Sequence, residues 1–221
     1  MFAIFATLGD FGPPEPPAGE DEVQALVLAA RAGDAGASRR LYRLFVARIF
    51  RAVRPFCTSD ADAEEVTQDT FVRALASLHR YSPREGTRFS AWLATIGFNF
   101  ARQRARVSRR MENRDEEGLA AASDARDVAD GEAAGAALDL ARTKRALLAA
   151  LAELPARDRE VVTLRYAAEL SADEVAAATG VSAANVRKIC ERRRAQLLAR
   201  IEEILETRGG ASAGNDEGRP R

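Results

Sequence analysis

The chain is poor in the residues that enzymes and metalloproteins most often use at their sites: among 221 residues it has two cysteines and one histidine. Cys57 and Cys190 cannot build a disulfide framework or a cysteine-rich zinc site, and so few thiols are compatible with a reducing cytoplasm. His79 has no nucleophile elbow or metal-binding pair to accompany it, and no glycine-rich phosphate loop is present. We therefore expect no catalytic residue, no metal site and no cofactor.

The chain also lacks an apolar run long enough to span a bilayer. Its start, MFAIFATLGDFG, is apolar but has neither the basic flank nor the small-residue cleavage site of a signal peptide. The PPEPPAGE stretch that follows is rich in proline, which favours an extended, disordered segment. We therefore predict a disordered extension over residues 1–21, no membrane insertion and a cytoplasmic location.

Net charge is zero, with 33 basic and 33 acidic residues, but the two signs are unevenly placed along the chain. Residues 22–110 carry 16 bases and 8 acids, residues 111–140 carry 2 and 9, and residues 141–208 carry 13 and 10. Two basic blocks on either side of an acidic one suggest two modules that face nucleic acid, joined by a solvated tether. The composition of residues 107–139, rich in acids, alanine and glycine, predicts a flexible or only partly helical linker.

The stretch LSADEVAAATGVSAANVRKICERRRAQL, residues 170–197, has the signals of a helix-turn-helix. Ser171 with Glu174 forms a capping box at a helix start, and Gly180 can end that helix in a left-handed turn. Ser182 then caps a second helix. The apolar side of this second helix is predicted to be Val186, Ile189 or Cys190, and Leu197.

The other side of the second helix is strongly basic, with five cationic residues: Arg187, Lys188, Arg192, Arg193 and Arg194. A helix of that charge fits a DNA major groove, where arginine can donate two hydrogen bonds to a guanine edge or bind phosphates. The alternative is an ordinary helical hairpin with a solvated basic face. The capped start, the glycine turn and the one-sided charge together favour DNA binding.

The N-terminal half shows helical periodicity, most clearly over about residues 62–79. One face of this helix is apolar: Val66, Thr70, Phe71, Ala74, Leu75 and Leu78. The opposite face carries Glu65, Gln68, Asp69 and Val72. The pattern alone leaves two interpretations open. The polar face is either plainly solvated, or it is a docking surface for another protein, whose charges would set orientation more than affinity.

A loop at residues 81–88 precedes an amphipathic helix that begins near Phe89. Trp92 lies in the apolar stripe of this helix, which favours a core position over base stacking. Asn99 lies beside an arginine-rich helix end, and these are residue types that read base edges and hold unstacked single-stranded bases. Apolar periodicity returns from Leu138, stops before Pro155, and resumes in a helix at 155–166 and a final helix to about residue 207.

Two signatures occur in fixed order. The first is DAEEVTQDTF (62–71) followed by FSAWLATIGFNFARQRAR (89–106), and the second is LAELPARDREVVTLRY (151–166) followed by the helix-turn-helix. Together they resemble the sigma-70 family, specifically the small extracytoplasmic-function (ECF) type that keeps only regions 2 and 4. The resemblance implies an all-α fold with two helical domains on a flexible acidic linker: region 2 over 22–106, the linker over 107–139, region 4 over 140–207 and a disordered tail over 208–221.

The resemblance also implies a function, which is to bind core RNA polymerase, recognise promoters and start their melting. The polymerase contact, on the clamp helices of the largest subunit, is expected at Asp62, Glu65, Gln68 and Asp69. Contacts with the −10 element are expected from Ser82, Arg84, Arg88, Asn99, Arg102, Arg104 and Arg106. The −35 element is expected at Ser182, Asn185, Arg187, Lys188, Glu191, Arg192 and Arg193. A second polymerase contact on the flap of the second-largest subunit and an inhibitory anti-sigma partner are further expectations.

The chain departs from the usual family pattern in its second helix. Lys188, Ile189 and Cys190 stand where a small polar residue, an arginine and a leucine are usual, and Arg193 stands where alanine is common. The −35 sequence therefore does not follow from the resemblance.

Two other classes of function remain as alternatives. A stand-alone helix-turn-helix regulator would bind an operator directly, but it would leave the polar face of the 62–79 helix and Asn99 without a role. A helical adaptor that binds only protein would leave the two arginine-rich helices without one.

Overall fold

The computed structural model describes residues 19–82, 88–112 and 132–210, and all regular secondary structure within these ranges is helical. The described N-terminal residues form α1 Glu20–Arg31, α2 Ala35–Val53, α3 Asp60–Ala76 and α4 Phe89–Glu112. The described C-terminal residues form α5 Glu132–Ala152, α6 Ala156–Tyr166, α7 Ala172–Thr179 and α8 Ala183–Gly210. Short 3-10 segments, Arg54–Phe56 and Leu78–Arg80, follow α2 and α3. The predicted all-α class is confirmed.

Capping residues explain where the first helices begin. Gly33 lies in the turn between α1 and α2 and has φ 93°, a left-handed conformation that a residue with a Cβ rarely adopts. Asp34 then caps α2, because its side chain accepts hydrogen bonds from the amides of Gly36 (2.6 Å) and Ala37 (3.1 Å). Ser59 caps α3 in the same way, through the backbone N–H of residue 62 at 3.1 Å.

The core of the N-terminal domain lies where α2 meets α1, α3 and α4. Ile49 of α2 and Phe98 of α4 are buried there. Gly97 of α4 is at the point of closest approach, since a Cβ at this position would lie 3.1 Å from Thr70 Oγ1 and 3.3 Å from Ile49 Cγ2. The missing side chain therefore allows α4 to approach both α2 and α3.

In the C-terminal domain, α5, α6 and α7 all pack on α8. The three residues predicted to face inward from α6 are fully buried: Val161, Val162 and Leu164. Pro155 stands at the N-cap of α6, after α5 has ended at Ala152, as the proline predicts. The three packing partners of α8 hold the C-terminal helix-turn-helix in place.

Three leucines that were predicted on apolar faces lie at the surface: Leu75, Leu138 and Leu140. Leu75 of α3 is 36% exposed, because a rotation of about 100° per residue places it at the edge of the buried face, beside Gln68 and Val72. Leu138 and Leu140 of α5 are 52% and 47% exposed, since the buried part of α5 begins only at Ala146.

Helix extends into both ends of the predicted linker, because α4 continues to Glu112 and α5 begins at Glu132. The centre of the linker, 113–131, lies outside the described residues, as do residues 1–18 of the predicted extension and 211–221 of the predicted tail. In the described part of the chain, no helix is long and apolar enough to cross a membrane.

Candidate nucleic-acid interface

The helix-turn-helix has the predicted local geometry. Ser171 Oγ accepts a hydrogen bond from the Glu174 amide (3.2 Å), and the Glu174 carboxylate accepts one from the Ser171 amide (2.7 Å), which completes the capping box of α7. Gly180 ends α7 with φ 72°, and its N–H donates to Ala176 O at 2.9 Å. Ser182 Oγ accepts from the Asn185 amide at 3.4 Å, at the start of α8.

The two sides of α8 separate almost as predicted. The apolar side is buried: Val186, Ile189, Cys190 and Leu197. The exposed side carries Ser182, Asn185, Arg187, Lys188, Glu191, Arg192 and Arg194. An exposed, basic helix with its first turn open to solvent has the form of a recognition helix that enters a major groove.

Arg193 is the exception, and its prediction on the outer side of α8 is wrong. Its side chain is only 17% exposed, and its Nε donates to Asp158 Oδ2 at 2.6 Å. The reason is helical spacing: Arg193 follows Val186 by seven residues and precedes Leu197 by four, which places it on the buried stripe. That spacing was readable from the sequence.

Asp158 of α6 is a residue of this site that the sequence reasoning missed. Its carboxylate is buried and joins two arginines of α8, Arg193 and the exposed Arg192, whose Nη2 lies 3.0 Å from Oδ2. A signal was available, since Asp158 precedes the buried Val161 and Val162 by three and four residues and therefore shares their face of α6. The ion pairs tie α6 to the middle of α8.

The predicted polymerase-binding face of α3 lies at the surface. Glu65, Gln68, Asp69 and Val72 are all exposed, and Val72 is 69% exposed. Asp62 differs, because its carboxylate is largely buried and accepts a hydrogen bond from the Thr58 amide at 3.0 Å. It therefore also stabilises the segment that leads into α3.

The arginines predicted to bind the −10 element divide between two sides of α4. Asn99, Arg102 and Arg106 follow one another at i, i+3 and i+7, so they share one face. Arg104 points elsewhere, to Asp62 (2.5 Å) and Glu65 (2.6 Å) of α3. The pKa of the Glu65 carboxyl is lowered, mainly by the hydrogen bond that Arg104 donates. The structure thus joins one predicted DNA-binding residue to two predicted polymerase-binding ones.

Arg88, just before α4, is exposed but forms an ion pair with Glu174 of the C-terminal domain. Its Nη2 and Nε donate to the two carboxylate oxygens of Glu174 at 2.7 and 2.9 Å. Burial by itself would raise the pKa of Glu174, but the hydrogen bonds from Arg88 and from the Ser171 backbone outweigh it and hold that pKa at about 2. Ser82 is exposed nearby in sequence, and Arg84 lies outside the described residues.

The aromatic residues around the start of α4 pack on one another. Tyr81, Phe89 and Trp92 form a mutual cluster with ring centroids 5.3 to 5.6 Å apart. Gln24 of α1 donates to the Tyr81 hydroxyl at 2.9 Å. The half-buried Trp92 is therefore a packing residue in this structure, in agreement with the sequence interpretation.

Comparison with known families matches both halves of the chain. A model of Sigma-70 region 2 matches residues 41–111, and a model of Sigma-70 region 4 matches residues 144–197, together more than half of the chain. The chain belongs to the sigma-70 family. The two matches fall on the α2–α4 domain and on the α5–α8 domain, in the order expected from the resemblance.

Similar proteins are named as RNA polymerase sigma factors, and BldN is named as one of the ECF type. ECF RNA polymerase sigma factor BldN of Streptomyces coelicolor is 32% identical over 177 residues, which are 80% of this chain and 64% of BldN, so the chain spans less than two thirds of that relative. RNA polymerase sigma factor CnrH of Cupriavidus metallidurans is 32% identical over 190 residues, 81% of this chain and 95% of CnrH.

Solved structures show the same fold. The structure of CnrH in complex with the cytosolic domain of CnrY has a TM-score of 0.59 and 28% identity, and covers 83% of this chain and 99% of that one. The sigma factor RpoE in complex with the anti-sigma factor NepR from Bartonella quintana has a TM-score of 0.56 at 22% identity, over 76% and 96% of the two chains. This chain is thus an ECF-type sigma factor, a subunit that directs promoter-specific transcription by RNA polymerase.

Proposed function

We propose that this sigma factor divides its work among three surfaces. The exposed face of α3 binds the clamp helices of the largest polymerase subunit, the Asn99 face of α4 together with Arg88 captures the −10 element, and the outer side of α8 reads the −35 element. The observation that carries the proposal is that two basic helical surfaces lie on separate domains of one chain, with an acidic face beside the first. No step makes or breaks a covalent bond, so no catalytic residue is assigned.

The chemistry of the α3 face supports a protein partner. Val72 and Leu75 expose apolar area between the polar side chains of Gln68 and Asp69, and a solvated face needs no such area. The apolar side chains would supply contact area, while the carboxylates of Glu65 and Asp69 would set orientation and partner choice.

The geometry of α8 supports duplex recognition at −35. Ser182 and Asn185 stand at the first turn, and N-terminal residues of a recognition helix are the ones that reach base edges. Arg187 and Lys188 follow on the exposed side, where an arginine can contact a guanine edge with two hydrogen bonds. We leave Arg193 out of this set because Asp158 holds it on the buried stripe.

The α4 surface suits a single strand. Opening a duplex requires the capture of an unstacked base, which costs a few kcal/mol and is offset by contacts in a pocket. Asn99 offers an amide to a base edge, and Arg102 and Arg106 lie on the same face to hold phosphates. Phosphate contacts make this step sensitive to salt.

Run-off transcription with core RNA polymerase tests the proposal. We expect start-site-specific transcript from a cognate promoter only when both core polymerase and this chain are present. Glu65→Arg with Asp69→Arg should weaken core binding, because it reverses two charges on the docking face. Glu202→Arg with Glu206→Arg is the matched control, since these exposed acids of α8 have the same spacing.

Two results would contradict the proposal. Absence of specific transcript from every cognate promoter would remove the sigma assignment of these surfaces, and tight operator binding without polymerase would favour a stand-alone regulator. Equal core affinity for the α3 variant and its control would remove the docking assignment alone.

Partner and location follow from the same proposal. The chain works where DNA and polymerase are, in the cytoplasm. An anti-sigma protein holds it inactive, by analogy with RpoE, a sigma factor of the same fold whose structure was solved in complex with the anti-sigma factor NepR. Gel filtration after co-expression with a candidate anti-sigma protein tests the second point. Separate elution of the two proteins would count against that candidate as the partner.

A further inference from the structure

Two carboxylates of the C-terminal domain, those of Glu169 and Glu174, form ion pairs with arginines of the N-terminal domain. The most complete contact is a two-point one, in which Arg88 Nη2 and Nε lie 2.7 and 2.9 Å from the two oxygens of Glu174. The same Nη2 also donates to the backbone oxygen of Glu169 at 3.4 Å. Arginine makes this forked contact with phosphate as readily as with carboxylate.

Glu169 extends the contact to a second pair of arginines. One of its oxygens lies 2.7 Å from Arg48 Nη2, and the other lies 3.5 Å from Arg51 Nη2. Both arginines are on α2, outside every set of DNA-binding residues assigned above. Glu169 and Glu174 together therefore cover three arginines, which come from α2 and from the start of α4.

The backbone at Glu169 takes a left-handed conformation where the chain leaves α6. Among the described residues, Glu169 is the non-glycine residue with positive φ, at 56°. A left-handed conformation is unfavourable for a glutamate, which has a Cβ, and such strain persists only where surrounding contacts impose it. Here the turn that ends α6 imposes it, since the Leu170 N–H donates to Leu164 O at 3.2 Å, and this turn fixes the position from which the Glu169 side chain reaches Arg48 and Arg51.

Further contacts between the domains include two ion pairs and one contact of an arginine with an aromatic ring. Lys144 of α5 pairs with Asp60 of α3, Arg102 lies 3.4 Å from Glu160, and the Arg159 guanidinium stands 5.7 Å from the centre of the Phe56 ring. Partly exposed ion pairs each contribute little to stability. A surface joined by such contacts can open when a competing polyanion is present.

We propose that Arg48, Arg51 and Arg88 form a phosphate-binding surface for single-stranded promoter DNA, which Glu169 and Glu174 occupy in the free chain. The proposal rests on the assignment of the −10 element to this domain, because Arg88 belongs to both surfaces and makes them continuous. The two carboxylates stand in the places of two phosphates. The C-terminal domain and the DNA strand therefore compete for the same arginines.

The test measures binding of the full chain to a fluorescein-labelled 20-nucleotide oligo-dT by anisotropy, since phosphate contacts do not depend on sequence. Glu169→Gln with Glu174→Gln should bind roughly three- to tenfold more tightly than the parent chain, the range for the loss of two partly exposed ion pairs. Glutamine at position 174 can still complete the capping box, so α7 is preserved.

Glu153→Gln with Glu203→Gln is the matched control. It removes the same two charges from the same domain and also releases an arginine, Arg200, from its ion pairs, but it lies away from the contact between the domains. We expect this control to bind the oligonucleotide within about twofold of the parent chain.

A third variant asks whether the arginines are responsible. Arg48→Gln with Arg51→Gln, added to the Glu169/Glu174 variant, should abolish most of the gain and lower the slope of log affinity against log salt by about 1.4, because two phosphate contacts are lost. A gain that survives these changes would overturn the assignment of Arg48 and Arg51.

Equal affinity of the folded Glu169/Glu174 variant and the parent chain would overturn the proposal. If circular dichroism shows that this variant is unfolded, Glu169→Gln alone decides, and unchanged binding there has the same consequence. Run-off transcription in parallel distinguishes failure of this inference from failure of the proposed sigma function. Specific transcript without a gain in oligonucleotide affinity removes only this inference, whereas a gain without transcript removes the proposed function and leaves the occupied surface.

Discussion

Helix α8 and the surface formed by Arg48, Arg51 and Arg88 are both basic. Their arginines differ in exposure and in the domain that supplies their carboxylate partners. On α8, Arg187 and Arg192 are more than 60% exposed, although Arg187 lies 3.7 Å from Asp173 and Arg192 lies 3.0 Å from Asp158. At the start of α4, Arg88 is engaged by Glu174 through both of its forked nitrogens, and Arg104 is engaged by α3. The arginines of α8 thus pair within their own domain and stay largely open to solvent, whereas Arg88 has to exchange a partner from the other domain before it can bind a strand.

The largest expected effect comes from the support of the recognition helix. Asp158→Ala should lower the free energy of unfolding by about 3 kcal/mol, because it leaves the largely buried Arg193 guanidinium without its carboxylate. Asp158→Ala with Arg193→Ala should recover most of that loss, and the exposed Asp173→Ala should cost much less. Urea denaturation followed by circular dichroism measures all three. A double variant as unstable as Asp158→Ala would mean that the pair is not the cause.

The second prediction concerns the arginines of α8. Arg187→Ala should weaken binding of holoenzyme to the cognate −35 duplex by about 1–3 kcal/mol if the guanidinium contacts a base edge. Arg157→Ala, an exposed arginine of α6, controls for the loss of one positive charge. The measurement is a competition between cognate and scrambled duplexes. An equal loss on both would show that Arg187 contacts only phosphate.

The third prediction concerns the pH at which Glu174 is protonated and loses its ion pair with Arg88. The pKa of Glu174 is depressed to about 2 in the folded chain, from an ordinary value of 4.5, so the stability that its ionised form contributes is fully present above about pH 4.5. That contribution should be lost as pH falls from 4.5 toward 2. The difference in urea midpoint between the parent chain and Glu174→Gln should therefore shrink over this interval, while the difference for the exposed Glu153→Gln should remain small. A difference that does not change with pH would contradict the ion pair.

The smallest expected effect is at Arg104. Arg104→Gln should cost little stability, because the Arg104 side chain is 40% exposed where it pairs with Asp62 and Glu65, and partly exposed ion pairs contribute little. Arg106→Gln, on the other side of α4, should be neutral within measurement. Thermal denaturation of the two variants makes the comparison, and a larger loss for Arg106→Gln would reverse our division of the α4 faces.

Local signals predicted much of the fold and part of the site. The capping box at Ser171, the left-handed turn at Gly180 and the buried side of α8 depend on residues a few positions apart, and each is present in the structure. The prediction for Arg193 was wrong although its spacing was readable, because the run of positive charge was given more weight than the position on the helix. Leu75 was misplaced for a related reason, since it stands at the edge of the apolar stripe where periodicity discriminates least.

The contacts of Arg88 and Arg48 with Glu174 and Glu169 were beyond prediction. These partners are separated by 86 and 121 positions in the chain, and nothing in the spacing of charges along one helix indicates which distant carboxylate will meet which arginine. Only the docking of the two domains brings them together.

The amino-acid sequence alone determined which segments are helical, where they are capped, which sides are apolar, and to which family the chain is similar, because all of these depend on short-range spacing and backbone preference. The folded chain determined which arginines are available and which are already paired. Ion pairs across a domain boundary depend on positions in space, and those positions result from the packing of all the helices at once.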